Sequence, residues 1–345
     1  MVRLNFVGDI GLFKEFQERG IDPFKEIRLP ASDFNTGNFE FIIPNKREKF
    51  FFDVLDKYTV DYDYFSSLYL ATFDAFGMAN NHIMDYGKEG ITDVTDIFKN
   101  SNISHFGVGT DEYNVLIQEL KGISFAFIGF VKKGRWSRKQ TGDFGPDPYD
   151  IEKLIEKVKS LKEWVDHIIV FPHFGTELVD IPDPADVRNS RLLIDAGASA
   201  VIGHHPHIIQ GIENYKNGII AYSLGSFIYI PENEAGYHSG QNPNRDFSIC
   251  LNLSFDQAKI TGVKPYYYKY NRQLKIPIEF KENTPYFEHV NASIGNSQEY
   301  HRKIRQILLK RELISFFERF KNAPLSTFKH YLKYLRFSHL KKLFS

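Results

Sequence analysis

The chain has 345 residues, of which 42% are hydrophobic, and this length suffices for one large domain with an appendage or for two modest domains. Lysine plus arginine and aspartate plus glutamate both total 43, so the formal net charge is zero and nucleic acid is not an expected partner. Cys250 is the only cysteine, which excludes an intramolecular disulfide framework and a thiolate metal cluster.

The N-terminal segment predicts a first β-strand. Met1 leads directly into residues 2–7, with no basic segment before a long apolar stretch and no small-residue cleavage site. Elsewhere no window approaches the roughly 18 consecutive apolar residues of a membrane-spanning helix. We therefore expect a cytoplasmic protein without a signal peptide or a transmembrane helix, and a peripheral contact with a membrane stays open.

Apolar runs of β-forming residues alternate with amphipathic stretches through most of the chain. Strands are predicted at 2–7, 73–78, 123–130, 167–172 and 199–202. Helices are predicted near 87–100, 150–164 and 185–196, and Gly197 is a suitable left-handed C-cap for the last of them. This alternation is typical of an α/β fold whose sheet is covered by helices.

The pattern changes after residue 205, where strands follow one another without helices between them. These strands are predicted at 207–214, 217–222, 225–230, 246–255 and 258–270. Short turns such as Tyr215-Lys216-Asn217-Gly218 join them. We expect a second, largely antiparallel part of the structure here.

From about residue 295 the chain is predicted to be helical and basic, and Pro324 divides this tail into two helices. Its basic residues are Arg302, Lys303, Arg305, Lys310, Arg311, Lys329, Lys333, Arg336, Lys341 and Lys342. The tail either lies on an anionic membrane surface or a protein complex, or packs on the main domain with its basic face in solvent. We place the main domain at 1–275, and a linker with the basic helical extension at 276–345.

Polar residues that follow predicted strands form the candidate site, because ligands of α/β sheets gather beyond the carboxyl ends of strands. They lie in Val7-Gly8-Asp9, Gly37-Asn38-Phe39-Glu40, Ala79-Asn80-Asn81-His82 with Asp85-Tyr86-Gly87, His173-Phe174-Gly175-Thr176-Glu177 and Gly203-His204-His205-Pro206-His207. Singly these are weak signals, since a lone Asp after a strand is more often a helix N-cap and a lone His a satisfied polar residue. Together they indicate one or two divalent metal ions, either Mn, Fe, Zn or Mg, which could clamp a phosphoryl group.

These motifs, in this order, resemble those of the CapA family of poly-γ-glutamate capsule synthesis proteins, a branch of the calcineurin-like metallophosphoesterase superfamily. Tyr222-Ser223-Leu224-Gly225-Ser226-Phe227 is part of the same resemblance, which covers roughly residues 2–255 and leaves the basic tail outside. The resemblance implies a metallophosphatase-like four-layer α/β/β/α sandwich. In this fold two mixed sheets pack face to face, with helices outside and metals at the strand ends.

The resemblance also implies which residues bind the metals. The implied ligands are Asp9, Glu40, Asn81, His173, His205 and His207. Asp9 and His207 would hold one metal, and Glu40 would bridge it to a second metal held by the other three.

Further residues are expected around the metals or the substrate, namely Asn38, Asp85, Glu177, His204, Ser226 and Arg245. His82 would not be a ligand, and it either acts as a general acid toward a leaving oxygen or only orients Asn81 or a carboxylate. Glu177 either fixes the imidazole of His173 or forms a surface salt bridge. His204 is expected to be packed rather than to bind metal.

Two positions depart from the pattern of the superfamily. Gly11 stands where many of its phosphoesterases have the His of Asp-x-His, so the first metal would have one ligand fewer. Ser226 stands where Leu-Gly-Asn-Phe is more usual, so a hydroxyl replaces a side-chain amide.

The function implied by the resemblance is a metal-dependent, phosphoesterase-like hydrolase in the biosynthesis of a capsule or another extracellular polymer. Its substrate would be anionic or a polymer precursor, and its basic tail would contact a membrane surface or a synthesis complex. Two alternatives stay open. One is a non-hydrolytic accessory factor in poly-γ-glutamate or capsular polysaccharide assembly, and the other is a structural protein whose site has decayed.

Overall fold

The computed structural model describes residues 1–43, 59–132, 144–228, 243–280 and 285–307. The strands are β1 (Val2–Ile10), β2 (Phe34–Phe39), β3 (Ala75–Gly77), β4 (Ser104–Phe106), β5 (Val108–Gly109), β6 (Leu116–Leu120), β7 (Ile123–Val131), β8 (Gly145–Pro146), β9 (His167–His173), β10 (Ala200–Ile202), β11 (Ile212–Tyr215), β12 (Gly218–Ala221), β13 (Ser226–Ile228), β14 (Phe247–Phe255), β15 (Ile260–Asn271) and β16 (Ile276–Glu279). The helices are α1 (Lys14–Glu18), α2 (Pro23–Glu26), α3 (Tyr62–Ser66), α4 (Gly87–Asn100), α5 (Ile151–Leu161), α6 (Pro184–Ala196), α7 (Pro285–Ala292) and α8 (297–307).

The first sheet has eight strands, in the order β16-β15-β14-β1-β2-β3-β4, and β13 also pairs with β1. β1, β2, β3 and β4 are parallel, whereas β14, β15 and β16 are antiparallel to their neighbours. β13 lies parallel to the end of β1, with Asp9 opposite Ser226. The first sheet is therefore mixed, and its parallel strands carry three of the predicted motifs.

The second sheet has six strands, in the order β11-β12-β10-β9-β7-β6. The four central strands are parallel, and the two outer strands are antiparallel to their neighbours. A separate two-stranded ribbon joins β5 and β8. The motifs that contain His173 and His205 follow the neighbouring strands β9 and β10 of this sheet.

Aromatic side chains from both sheets form the core between them. Phe6 and Phe106 of the first sheet meet Phe171 and Phe127 of the second, with ring centroids 5.9 Å apart for Phe6 and Phe171 and 5.6 Å apart for Phe106 and Phe127. These residues belong to one buried cluster. The two sheets therefore pack face to face, and each side chain buried in this way contributes roughly 1.5–3 kcal/mol.

Helices cover the outer face of each sheet. α4 buries Phe98 against Phe76 of β3, with ring centroids 5.2 Å apart. α5 and α6 bury Leu154 and Leu193 in a cluster with Val170 of β9. The architecture is the four-layer α/β/β/α sandwich that the resemblance implied.

The main strands and helices of the α/β pattern are confirmed, and α6 ends at Gly197 in the left-handed conformation with φ 119°. The strands after residue 205 pair mostly antiparallel, as expected, but they do not form a separate second part. β12 lies parallel to β10 in the second sheet, and β13 lies parallel to β1 in the first. These late strands complete both sheets, because their apolar residues are needed in the shared core.

Residues after 275 pack on the sheets in the part of the chain that the structure describes. β16 pairs with β15, and α7 buries Phe287 and Val290 in the core between the sheets. The predicted tail beyond residue 307, which includes Lys310 and Pro324, lies outside the described residues. No helix within the described ranges has the length and apolarity to cross a membrane.

We predict that Gly8→Ala destabilises the fold by about 1–3 kcal/mol, because overpacking forces the backbone to move. A Cβ atom at Gly8 would lie 1.8 Å from the carbonyl oxygen of Gly225, where β1 passes close to the chain before β13. Thermal unfolding measures the change. Gly145→Ala is the matched control, since its Cβ would meet nothing nearer than Met84 Sδ at 3.8 Å, and equal effects of both changes would contradict the prediction.

Candidate metal centre

Two adjacent parallel strands place the carboxylates of the site. Asp9 lies near the end of β1 beside Asn38 of β2, and the backbone N–H of Glu40 donates to the carbonyl of Ile10 at 2.8 Å. The amide nitrogen of Asn38 donates to Asp9 Oδ1 at 2.8 Å and to Glu40 Oε2 at 3.1 Å. All three side chains are buried. Asn38 thus holds both carboxyl groups in one buried site.

Three imidazoles reach this site from the second sheet. His173 is the last residue of β9, and its Nε2 lies 3.5 Å from Glu40 Oε1. His207 Nδ1 lies 3.1 Å from Asp9 Oδ2, and its Nε2 lies 3.5 Å from Glu40 Oε1. The ring of His205 is 4.7 Å from that of His173, centroid to centroid. Imidazoles and carboxylates of the two sheets therefore face one another.

The loop after β10 adopts an uncommon backbone conformation to present its histidines. His205 has φ 98° and His207 has φ 55°, both on the left-handed side that residues with a Cβ rarely occupy. Such conformations cost on the order of 1–3 kcal/mol each and persist where the surroundings fix them. The backbone N–H of His205 donates to Asp9 Oδ2 at 3.3 Å, which is one contact that fixes this loop.

The possible metal ligands form two groups that share one carboxylate. The first, here called the Asp9 group, consists of Asp9, Glu40 and His207. The second, called the His173 group, consists of Glu40, His173 and His205. Within each group one ligand atom per residue lies within 4.8 Å of the others. Asn81 adds an amide oxygen beside the His173 group, with Oδ1 2.7 Å from His173 Nε2.

Electrostatics make this site unfavourable without a proton or a cation. Burial raises the pKa of Glu40 well above its usual value, and the negative charge of Asp9 raises it further. Burial opposes ionisation of Asp9 too, but its hydrogen bond and charge interaction with His207 leave the pKa of Asp9 below its usual value. Burial and the neighbouring His205 lower the pKa of His173.

The donor set fits a divalent cation. Glu40 Oε1 is buried and accepts no hydrogen bond from any described residue, which is the state expected of an atom that needs a cation. Carboxylate oxygens, imidazole nitrogens and an amide oxygen are ligands for Mn, Fe and Zn, and carboxylate oxygens suit Mg as well. The centre can therefore accept one or two divalent ions, and these ligand types leave their identity open.

His82 follows Asn81 in the chain and belongs to neither ligand group. Its Nδ1 is 2.9 Å from Asp85 Oδ2, and its side chain is 37% exposed whereas that of Asp85 is 13% exposed. Its backbone N–H donates to Asn80 Oδ1 at 3.1 Å, and the amide of Asn80 donates to the carbonyl of Phe39 at 2.6 Å. Asn80 belongs to a predicted motif but was given no role there. Its side chain ties the loop after β3 to the end of β2.

The remaining predicted residues surround the ligand groups. His204 is buried, with Nε2 3.2 Å from the carbonyl oxygen of Val7 and its ring 5.1 Å from that of Phe171. The ring nitrogens of His173 contact Asn38, Asn81 and Glu40. Glu177 acts on Glu40 through its charge, which is among the causes that raise the pKa of Glu40.

The two positions that depart from the superfamily pattern both lie at the Asp9 group. Ser226 Oγ is 3.4 Å from His207 Nδ1. Gly11 contributes only its backbone, whose N–H donates to the carbonyl of Ile228 at 2.6 Å. Arg245 is buried in the short helical turn Pro243–Asp246. It lies three residues before Ser248, which bridges to Gly225.

Known proteins are similar to this chain in sequence. A family model described as bacterial capsule synthesis protein PGA_cap matches residues 3–230. The capsule biosynthesis protein CapA of Bacillus anthracis is 30% identical in an alignment of 247 residues that covers 66% of this chain and 59% of that protein. The PGA biosynthesis protein CapA of Bacillus subtilis is 31% identical in an alignment of 239 residues that covers 65% of this chain and 62% of that protein. The chain therefore spans about 60% of the length of either relative.

The fold is also similar to those of solved structures. One is described as a novel phosphatase, from Mycoplasma pneumoniae, with a TM-score of 0.47 and 13% sequence identity. The similarity covers 84% of this chain and 96% of that one.

We predict that Glu40→Gln stabilises the metal-free protein at neutral and higher pH, and that it abolishes stabilisation by metal. A group whose pKa is raised by folding stabilises the protein below its unfolded pKa, and this contribution is lost as the pH rises toward the folded pKa. The metal-free wild type should therefore lose stability relative to the variant as the pH rises from the unfolded pKa of Glu40 toward its raised folded pKa. Added Mn²⁺ should make the wild type more stable than the variant, because the Glu40 carboxylate then binds a cation.

Thermal unfolding of EDTA-treated protein at several pH values, with and without Mn²⁺, measures both effects. Glu119→Gln makes the same chemical change at an exposed position of β6 and should leave both curves unchanged. The interpretation of the centre is wrong if Glu40→Gln destabilises the metal-free protein at every pH.

Proposed function

The chain belongs to the bacterial capsule synthesis protein (PGA_cap) family, and from this premise we propose that it is a metal-dependent hydrolase of the phosphoesterase type. We place its activity in the biosynthesis of a capsule or another extracellular polymer, as the names of its relatives suggest. The observation that carries the proposal is the pair of buried ligand groups that share Glu40.

The proposed ligands divide between the two groups. The Asp9 group would hold one ion, and the His173 group with Asn81 would hold the other. When bound, the ions would supply Lewis-acid stabilisation of the charge on a phosphoryl group. Asn38 keeps the two carboxyl groups at their positions by donating a hydrogen bond to each.

His82 is the proposed general acid. It is adjacent in the chain to the ligand Asn81, it is partly exposed, and neither ligand group includes it. Asp85 orients the ring by accepting from Nδ1–H, so in the protonated imidazolium form of His82 the transferable proton is the one on Nε2. From there His82 would protonate the oxygen of the leaving group.

The proposed substrate is anionic or a polymer precursor. A site with two divalent ions favours negatively charged groups, and Arg245 supplies a buried cation on the segment that bridges to Gly225, next to Ser226. The basic tail is proposed to contact a membrane surface or a synthesis complex. Of that tail, Arg302, Lys303 and Arg305 lie within the described residues.

We predict that His82→Ala lowers turnover about 10²- to 10⁴-fold for an alkyl phosphodiester, because the alkoxide leaving group needs a proton. The loss should be much smaller for a nitrophenyl phosphodiester, whose leaving group departs without one. Metal content should stay at the wild-type level. Asp85→Asn should show the same dependence on leaving group with a smaller loss, because the acid remains but is less well oriented.

Rates with both substrates, measured beside metal content by mass spectrometry, check this prediction. His289→Ala is a control, since this side chain is exposed and belongs to neither ligand group. Equal losses for both substrates, or full activity of His82→Ala, would remove the general-acid assignment.

We also predict that wild-type protein purified with Mn²⁺ holds one to two metal ions per chain, and that an Asp9→Ala/His205→Ala variant loses them. This variant removes one ligand from each group. Binding of Mn²⁺ in calorimetry, alongside circular dichroism to show that the variant is folded, checks the outcome. Wild-type protein that binds no metal would overturn the ligand assignment.

A non-hydrolytic accessory role in polymer assembly is the second candidate. The observation that favours it is the reduced Asp9 group, where Gly11 offers no side chain and Ser226 replaces an amide. Such a protein would bind metal and an anionic polymer or precursor without cleaving it. Metal binding with no turnover of phosphoesters, and with saturable binding of a poly-γ-glutamate oligomer, would select this role over the hydrolase.

A further inference from the structure

Two helices near the end of the described chain lie against the loops that carry the candidate ligands. The C-terminal pair consists of α7 and α8, and it lies beyond the residues 3–230 that the family model matches. The first ligand loop, 173–183, begins at His173, and the second, 203–211, contains His205 and His207. Each helix of the pair contacts one loop or its immediate continuation.

α8 holds the first ligand loop at several points. Tyr300 is buried in an apolar cluster with Val179 and Ile181 of the loop. Its hydroxyl donates to Asp183 Oδ2 at 3.0 Å and lies 3.3 Å from Thr176 Oγ1. Tyr300 therefore ties Thr176, three residues after His173, to Asp183 at the end of the loop.

An ion pair strengthens the same contact. Lys303, one turn after Tyr300 on α8, pairs with Asp180 of the loop, and both side chains are largely shielded from solvent. Ile304 and Ile307 of the helix are partly buried against the apolar cluster. The loop is thus held by apolar packing, a hydrogen-bonded hydroxyl and a charge pair together.

α7 holds the end of the second ligand loop. The hydroxyl of Tyr286 donates to the carbonyl of Ile209 at 3.2 Å. The side-chain oxygen of Asn291 accepts from the backbone N–H of Ile212 at 2.8 Å, directly after the loop. The C-terminal pair therefore contacts the supports of all three candidate histidine ligands.

The two ligand loops are also joined to each other. The backbone N–H of Leu178 donates to the carbonyl of Pro206, which stands between His205 and His207, at 2.8 Å. The amide of Gln210, which is buried, donates to the carbonyl of Val179 at 2.7 Å. These two hydrogen bonds join the first ligand loop to the second on either side of His207.

We propose that the C-terminal pair is a brace for the metal-ligand loops, and that Tyr300 is a positioning residue for the His173 group. The inference rests on the proposed function, since it takes the members of this group as metal ligands. Tyr300 acts through Thr176 and Asp183 and does not touch the centre itself. The Asp9 group depends less on Tyr300, because Asp9 is fixed within β1.

Tyr300→Phe tests the inference, because it removes the hydroxyl and keeps the ring in its apolar cluster. Calorimetric titration of EDTA-stripped, full-length protein with Mn²⁺ gives the affinity of each group, and His173→Ala identifies the binding event that belongs to the His173 group. We expect Tyr300→Phe to weaken that event about tenfold, as loss of a residue that supports a ligand does. The other event should change less than about twofold.

Tyr64→Phe is the matched control. It removes a tyrosine hydroxyl that donates to the carbonyl of Ile21, far in the chain from both ligand loops. Both variants should lower the unfolding temperature of the metal-free protein by a similar amount, about 2–4 °C, and only Tyr300→Phe should change metal affinity. Hydrogen exchange of amides 176–183 should be faster in Tyr300→Phe alone.

Thr176→Val removes the other end of the hydroxyl contact. If Tyr300 acts through Thr176, the double variant should lose less affinity than the sum of the two single losses. Wild-type affinity of Tyr300→Phe for both metals would overturn the brace while leaving the proposed function in place. Wild-type protein that takes up no Mn²⁺ would overturn the ligand assignment together with the brace.

Discussion

Glu40 and Asp9 bind the same side-chain amide of Asn38, so two carboxyl groups lie together in a buried site. Removing one ionised carboxylate from water costs several kcal/mol, and a second beside it adds repulsion. The imidazole of His173 does little to compensate this charge, because burial lowers its pKa and so disfavours its charged form. The centre therefore needs a proton or a cation. The surrounding strands and their loops place imidazole and amide groups around the two carboxyl groups.

The end of β2 shows how the packed core makes such a site possible. Successive residues of a strand point to opposite faces, so Asn38 and Glu40 face the centre while Phe39 between them faces α4. There its ring centroid lies 5.5 Å from that of Phe76 and 5.0 Å from that of Phe98. Burial of these rings stabilises the strand by roughly 1.5–3 kcal/mol each. The apolar layer under the helix thus offsets the cost of the polar layer between the strand ends.

The sequence predicted those elements whose own pattern determines them, such as β1, β7 and β9, which are apolar along most of their length. It missed β4, with only 3 residues, and the partners of β12 and β13, which are set by distant strands. The placement of polar residues directly after strands predicted which of them would lie at the same edge of the sheets. The prediction that Glu40 bridges two metals came from the resemblance. Tyr300 contacts Asp183 and Thr176 across 117 and 124 residues of sequence, and no local sequence pattern predicts these contacts.

The two ligand groups differ in ligand composition, which suggests different roles for the two ions. The Asp9 group has two carboxylates and one imidazole, whereas the His173 group has one carboxylate, two imidazoles and the nearby amide of Asn81. Gly11 adds no ligand to the Asp9 group, so an ion there would keep more open positions. Open positions distinguish catalytic from structural metal sites. The brace fits this division, because it would fix the more complete group through the loop of His173 and leave the Asp9 group to accept a ligand.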